Sequence, residues 1–157
     1  SSFLMSFLHN YPESSHRTRV FFLLGNCLTK SGQPHKALKV YKSALREIPD
    51  LKPADTVRFN YLIYKIYAKI NKQKAIERLK YIVSFSGKRK VKTDSAFRAF
   101  FTLSKIYFEA DKFDKSEVVL TKLLTLSPPS PWKEKALIQK GGLLIKQKKY
   151  RETIRIL

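Results

Sequence analysis

Residues 24–49 read LGNCLTKSGQPHKALKVYKSALREIP, and this stretch decides the fold. Its apolar residues recur at spacings of three and four, which favours helices over strands. Gly25, Ala37 and Ala44 are small residues at helical spacing, and such residues allow two helices to approach each other closely. Pro49 follows the second of these helices, where a proline ends helical structure. The stretch therefore predicts a hairpin of two α-helices.

The hairpin resembles the repeat unit of the tetratricopeptide repeat family. Seven positions agree with the pattern of that family: Leu24, Gly25, Leu28, Ala37, Tyr41, Ala44 and Pro49. The resemblance implies an all-α protein, a right-handed α-solenoid of helix hairpins. It also implies a protein that holds other proteins and is not an enzyme.

The same internal spacing extends over the rest of the chain. It predicts one solenoid domain over residues 1–157, made of a half-repeat, three repeats and a partial repeat: 1–13, 18–51, 56–89, 97–130 and 134–157. A hairpin of two helices cannot bury its apolar face alone, so each repeat depends on its neighbours. We expect a fragment of a longer protein, with apolar stripes exposed at both ends.

The chain is strongly basic. Its 32 Lys and Arg residues against 12 Asp and Glu residues give a formal net charge of +20. Acidic partners are favoured by this charge.

The sequence leaves the compartment open. Its single cysteine excludes an internal disulfide, and no run of 18 apolar residues predicts a membrane span. A cytoplasmic or nuclear protein fits. So does a bacterial envelope protein, because the turn Tyr11-Pro12-x-Ser14 resembles one found in bacterial envelope-assembly repeat proteins.

No catalytic pattern is present in the sequence. His9, His16 and His35 lie at no metal-ligand spacing with Cys27 or with acids, and no nucleophile triad or glycine-rich phosphate loop is found. We therefore predict no enzyme, no cofactor, no metal and no small-molecule substrate. Cys27 is expected to be a packed thiol. Gly141 and the glycine after it are expected to mark a close helix approach.

The resemblance also implies a partner-binding groove, lined by the first helix of each repeat. Carried over to this sequence, the candidate residues are Phe22, Asn26, Asn60, Tyr61, Tyr64, Tyr67, Arg98, Phe101, Lys105 and Phe108, and the fourth repeat adds Lys135, Ile138, Gln139, Gly142, Ile145 and Lys146. Tyrosine combines apolar area with a hydroxyl, which suits a peptide or a helix of a partner protein, alone or within a multi-subunit complex. The alternative is that several of these rings only fill the inner curve of the solenoid.

Basic residues gather in the predicted turns between paired helices. The members of this basic edge are Lys69, Lys72, Lys74, Lys112, Lys115, Lys146, Lys148 and Lys149. The edge supports a second function, the binding of nucleic acid or an anionic membrane. The alternative is ordinary lysine usage on a solvated surface.

Overall fold

The computed structural model describes the backbone of residues 2–156 and the side chains of residues 2–148. Within that backbone the chain forms eight helices and no strand. The helices are α1 (Ser2–Asn10), α2 (Arg17–Lys30), α3 (Pro34–Glu47), α4 (Pro53–Ile70), α5 (Lys72–Arg89), α6 (Asp94–Glu109), α7 (Phe113–Thr125) and α8 (Ser130–Ile156). The predicted all-α class is confirmed. None of the described helices is both long and apolar enough to cross a bilayer.

Short turns with left-handed residues end several of the helices. Gly32 follows α2 with a φ of 73°, and Lys90, Asp111 and Ser127 follow α5, α6 and α7 with φ values of 52°, 54° and 52°. A left-handed residue after a helix reverses the chain and lets the last carbonyl groups find partners. Pro34 then begins α3, where its fixed φ suits the first helical turn.

The chain divides into two compact units, residues 1–78 and 79–157, with the boundary inside α5. In the first unit α1 packs on α2, α2 on α3, and α3 on α4. In the second unit α6 packs on α7, and α8 contacts both of them. Each unit therefore contains consecutive helices that cover one another's apolar faces. The predicted single domain and its division into repeats stay predictions.

The α2–α3 hairpin depends on Gly25. A Cβ atom at this position would lie 2.1 Å from Cε1 of Tyr41, far inside the normal carbon–carbon contact distance. Tyr41 is 1% exposed, and Ala37 and Ala44 on the same helix are fully buried. The close approach predicted from the sequence is therefore real in this hairpin.

The α6–α7 hairpin uses serines where α2 and α3 use Gly25 and Ala37. Ser104 and Ser116 are both fully buried. The Ser116 hydroxyl donates a hydrogen bond of 2.8 Å to the main-chain carbonyl of Ser104. Two small side chains and one satisfied hydrogen bond allow the close contact here.

Helix α8 differs from the sequence prediction in two respects. It continues through residues 146–151, where a turn was expected, because this segment contains good helix formers and neither glycine nor proline. The expected close approach at Gly141 is also wrong, since a Cβ there would have no atom within 4 Å. Among the residues of α8 with described side chains, the exposed large apolar ones are Leu137, Ile138, Leu144 and Ile145.

Candidate partner-binding site

In the second unit, a groove lies between α6 and α8. Its volume is about 350 Å³, and its lining residues are Phe101, Lys105, Phe108, Lys135, Ile138, Gln139 and Gly142. Both phenylalanines are half-buried and Ile138 is 76% exposed, so the floor is an apolar surface open to solvent. The structure thus brings predicted residues of two different helices together in one groove.

Trp132 packs against two residues that line the groove, Phe101 and Lys135. Its ring packs edge-on to Phe101 with centroids 6.0 Å apart, and its Nε1 donates a hydrogen bond of 3.0 Å to Asp94 Oδ1. The Arg98 guanidinium carbon and the Lys135 Nζ lie 5.4 and 4.7 Å from the ring centroid. These two cations and the fixed indole give this end of the groove a defined, positively charged edge.

Asp94 accepts hydrogen bonds from both Arg98 and Trp132. Hydrogen bonds from Arg98, and then from Trp132, outweigh the opposing effect of partial burial and lower the pKa of the Asp94 carboxyl. The carboxylate is therefore ionised at neutral pH and fixes both the guanidinium and the indole. Arg98 was predicted to contact a partner, and in the structure it is already bound to this carboxylate.

Phe108 forms the other end of the groove. Its ring packs edge-on to Phe113 at 5.9 Å, and the Lys146 Nζ lies 4.8 Å from the Phe108 centroid. Lys146 was predicted both as a groove residue of the fourth repeat and as a residue in a turn of the basic edge. It lies on α8 and not in a turn, and its ammonium group covers an aromatic ring of the groove.

Three of the predicted contact residues in the first unit belong to its core. Phe22 stacks on Phe59 at 3.9 Å under the guanidinium of Arg58, which is 4.1 Å from the Phe22 centroid. Asn60, 1% exposed, donates to the main-chain carbonyl of its own helix at Thr56. Tyr67 is 7% exposed. All three side chains are buried, which leaves little of them for a partner to contact.

Tyr61 and Tyr64 remain at the surface of the first unit. Both are half-buried, and their ring centroids are 5.5 Å apart. Burial raises the pKa of the Tyr64 hydroxyl, so this hydroxyl is neutral at physiological pH and can donate or accept a hydrogen bond. The pair provides an aromatic patch with polar tips.

A cavity of about 530 Å³ also lies in the first unit. Its lining includes Asn26, which was predicted as a groove residue, and Lys69, which was predicted as part of the basic edge. The Tyr41 hydroxyl donates a hydrogen bond of 2.9 Å to Oδ1 of Asn26. Burial raises the pKa of Tyr41, which keeps this donor protonated. The structure thus places residues from both predicted surfaces at one cavity.

The basic-edge lysines with described side chains are all exposed: Lys69, Lys72, Lys74, Lys112, Lys115, Lys146 and Lys148. Lys72 and Lys74 lie in the first turn of α5, whereas Lys112 lies in the turn before α7. Lys149 lies outside the residues with described side chains. The grouping of these lysines into one basic edge stays a prediction.

Trp132 was missed at the sequence level. It lies before residue 134, where the partial repeat was predicted to begin, and so was given no groove position. Two features of the sequence could have identified it. Trp132 is the chain's single tryptophan, and it directly follows Pro131 at the start of a helix.

The described side chains form no metal-binding cluster. Within residues 2–148, no group of three or more His, Cys, Asp or Glu side chains is positioned to hold a metal ion. The expected packing of Cys27 is wrong, because its thiol is exposed. Cys27 shares its face of α2 with the exposed residues Leu23 and Lys30, opposite the buried Leu24 and Leu28.

Two stretches of the chain match a family model. Residues 18–51 and 97–130 each match the model of the tetratricopeptide repeat. The first stretch contains α2 and α3, and the second contains α6 and α7. No curated protein and no solved structure matches the chain significantly.

Proposed function

The chain is a tetratricopeptide repeat protein, and we propose that it is a non-catalytic scaffold that binds a segment of a partner protein in the groove between α6 and α8. Repeats of this family hold partner proteins, which makes this chain a protein-interaction scaffold. The assignment of the binding to one groove is the proposal. The observation that supports this proposal is the open apolar groove, whose lining includes Phe101, Phe108 and Ile138.

The chemistry of this groove suits a protein ligand. Apolar side chains at a surface gain stability when a partner covers them, and aromatic residues often dominate such interfaces. Lys105 and Lys135 line the same groove, so a partner with acidic residues gains attraction during its approach. A groove of about 350 Å³ has room for one or two side chains of a peptide.

The aromatic patch of the first unit is a second part of the proposal. Tyr61 and Tyr64 offer half-buried rings with hydroxyl groups, and tyrosine is enriched at protein interfaces. We assign these two residues to partner contact. Phe22, Asn60 and Tyr67 are assigned to the core.

Paired variants on α8 test the groove without disturbing the core. Ile138→Gln alters a lining residue, whereas Leu137→Gln alters its exposed neighbour, which is not among the lining residues. Partners captured from the native cell by the full-length protein are identified, and their affinities for both variants are measured. We expect Ile138→Gln to weaken binding by roughly tenfold, in line with a hot-spot residue, and Leu137→Gln to have little effect. Thermal unfolding of both variants controls for misfolding.

Charge reversal separates this proposal from the basic-edge alternative. Lys72, Lys74, Lys112 and Lys115 are replaced together by glutamate, and binding is measured to the partner, to a single-stranded oligonucleotide and to phosphatidylserine vesicles. We expect this variant mainly to slow association with the partner. If it abolishes all binding while Ile138→Gln changes nothing, the groove proposal is wrong and the basic edge is the functional surface.

A further inference from the structure

A stripe of exposed residues runs along α8 on the side opposite its buried residues. Among the residues of α8 with described side chains, the buried ones are Trp132, Ala136 and Leu143. Residues three and four apart share a face of a helix, and the face opposite these three carries such a series. This α8 stripe consists of Glu134, Leu137, Ile138, Gly141, Leu144, Ile145 and Lys148, all of them exposed.

The α8 stripe is apolar at its centre. Its four large aliphatic residues are between 50% and 76% exposed and lie within nine consecutive residues. Single exposed apolar residues are common on proteins, whereas a contiguous apolar patch marks an interaction surface. The α8 stripe therefore needs a partner that the described part of the chain does not provide.

Gly141 lies at the middle of the stripe. Leu137 and Ile138 are four and three residues before it, and Leu144 and Ile145 are three and four residues after it. A Cβ atom at Gly141 would have no atom within 4 Å, so no described residue occupies the space beside it. The stripe is therefore symmetric about a position that leaves room for another helix.

The two ends of the stripe carry opposite charges. Glu134 lies seven residues before Gly141 and Lys148 lies seven residues after it, which is about 10 Å along the helix in either direction. An identical stripe running in the opposite direction places a lysine against the glutamate and a glutamate against the lysine. An identical stripe running in the same direction places like charges against each other, which is unfavourable. The stripe is thus complementary to an antiparallel copy of itself.

We propose that the α8 stripe is a dimerisation surface, on which α8 of a second copy of the chain packs antiparallel about a two-fold axis at Gly141. Leu137 and Ile138 of one copy meet Leu144 and Ile145 of the other. Each Glu134 faces Lys148 of the second copy. A two-fold contact uses one surface twice, which requires a self-complementary pattern of this kind. The proposal adds a second interface to the partner-binding groove.

The size of the stripe and the charge of the chain determine how strongly two copies associate. Seven residues on each side are fewer than the roughly 20 to 30 of a standard interface, so we expect reversible association in the micromolar range. The formal net charge of +20 on each copy opposes association. Salt screens this repulsion, so the dimer should strengthen with moderate salt, whereas binding to an acidic partner or to nucleic acid weakens.

The α8 stripe can be altered without altering the groove between α6 and α8. Ile138 borders both surfaces, but Leu144 is not among the residues that line the groove. Val118 on α7 provides the matched control, because it is also an exposed apolar residue but lies outside the stripe. The variants Leu144→Glu and Val118→Glu therefore introduce the same charge at two exposed apolar positions, of which only one belongs to the stripe.

Sedimentation equilibrium of the full-length protein across the micromolar range measures the association. We expect Leu144→Glu to weaken the dimer by at least roughly tenfold and Val118→Glu to leave it unchanged. Circular dichroism and thermal unfolding control for misfolding. The affinity of the captured partner should be the same for Leu144→Glu and for the wild type, which separates a failure of the dimer from a failure of the groove.

A charge exchange tests the antiparallel direction. Glu134→Lys and Lys148→Glu should each weaken the dimer by roughly threefold or more, because each creates two like-charged pairs at the ends of the contact. The double variant restores opposite charges at both ends and should recover the wild-type affinity. Recovery in the double variant cannot arise from the loss of a contact within one copy.

Disulfide cross-linking tests the position of the two-fold axis. Packed helix axes are about 8 to 10 Å apart and Cα atoms lie about 2.3 Å from each axis, so facing Cα atoms are close enough for a disulfide. In a background with Cys27→Ser and every other cysteine removed, Gly141→Cys should cross-link the dimer. Lys148→Cys should not, since the two residues 148 lie about 20 Å apart in an antiparallel pair.

Three results would overturn the inference. The first is a full-length wild-type protein that stays monomeric across the micromolar range, which would mean that something other than a second copy covers the stripe. The second is equal self-association of Leu144→Glu and the wild type. The third is cross-linking of Lys148→Cys in preference to Gly141→Cys, which would place the two helices parallel.

Discussion

Gly25→Ala is a demanding test of the α2–α3 hairpin. The new Cβ would lie 2.1, 2.4 and 2.8 Å from Cε1, Cζ and Cδ1 of Tyr41. Carbon atoms pack at about 3.5 to 4.0 Å, so the ring has to retreat by more than about 1 Å. Tyr41 is 1% exposed, and its hydroxyl is bonded to Asn26 Oδ1 at 2.9 Å. The ring therefore has to leave its packed position, and this movement disrupts its hydrogen bond.

The size of the effect follows from three contributions. Overpacking of a core costs about 1 to 3 kcal/mol, and the lost hydrogen bond costs about 0.5 to 1.5 kcal/mol. The higher helix propensity of alanine offsets about 1 kcal/mol of this loss. We expect Gly25→Ala to reduce the free energy of unfolding by about 1 to 3 kcal/mol, measured by urea denaturation followed by circular dichroism.

Gly141→Ala is the matched control. Gly141 also lies inside a helix, but a Cβ there meets nothing within 4 Å, so only the propensity gain of up to about 1 kcal/mol remains. The two substitutions should change stability in opposite directions. A neutral or stabilising Gly25→Ala would refute the close approach on which the hairpin assignment depends.

A Tyr41→Leu substitution tests whether the Tyr41 ring is the cause of this loss of stability. At the positions of Gly25 and Tyr41, the second matched stretch has Ser104 and Leu120. A larger residue on one helix is thus accompanied there by a smaller one on the other. We expect Gly25→Ala to cost less in a Tyr41→Leu background, with a coupling of about 1 kcal/mol or more.

Three further predictions follow from burial, charge and backbone geometry. Ala44→Trp should lower the free energy of unfolding by at least about 1 to 3 kcal/mol because Ala44 is 0% exposed, whereas exposed Lys36→Glu should change it little; equal urea midpoints would contradict the register. The stabilising contribution of ionised Asp94 is present above pH 3.8 and is lost as pH falls through its lowered folded pKa, so Trp132 fluorescence should change below pH 3.8, and Asp94→Asn should abolish this transition. Ser127 has a φ of 52°, so Ser127→Gly should stabilise the protein by up to about 1 kcal/mol, and a lower thermal midpoint would argue against this turn geometry.

The fold class was predictable because it depends on local spacing. Gly25, Ala37 and Tyr41 lie at positions where close helix packing leaves few alternatives, and the sequence shows those positions directly. The continuity of α8 was not predictable in the same way. The repeat pattern places a turn near Lys146, but the residues there are good helix formers, and their local preference decided the structure.

The candidate site was predictable only in part because helical spacing does not determine how far a side chain is buried. Phe101 and Phe22 occupy the same position in the two matched stretches. Phe101 lines an open groove, whereas Phe22 is covered by Phe59 and Arg58. The difference comes from side chains on a neighbouring helix, and a pattern carried over one repeat at a time cannot include them.

The structure places part of the basic charge at the aromatic groove. The sequence suggested two separate surfaces, an aromatic groove and a lysine edge. In the second unit, Lys135 and Lys146 lie over the rings of Trp132 and Phe108, so positive charge and aromatic area belong to the same groove. Binding there should depend on both salt and aromatic area. A steep salt dependence alone therefore does not identify nucleic acid or lipid as the ligand, and only residue-specific variants such as Ile138→Gln separate the two functions.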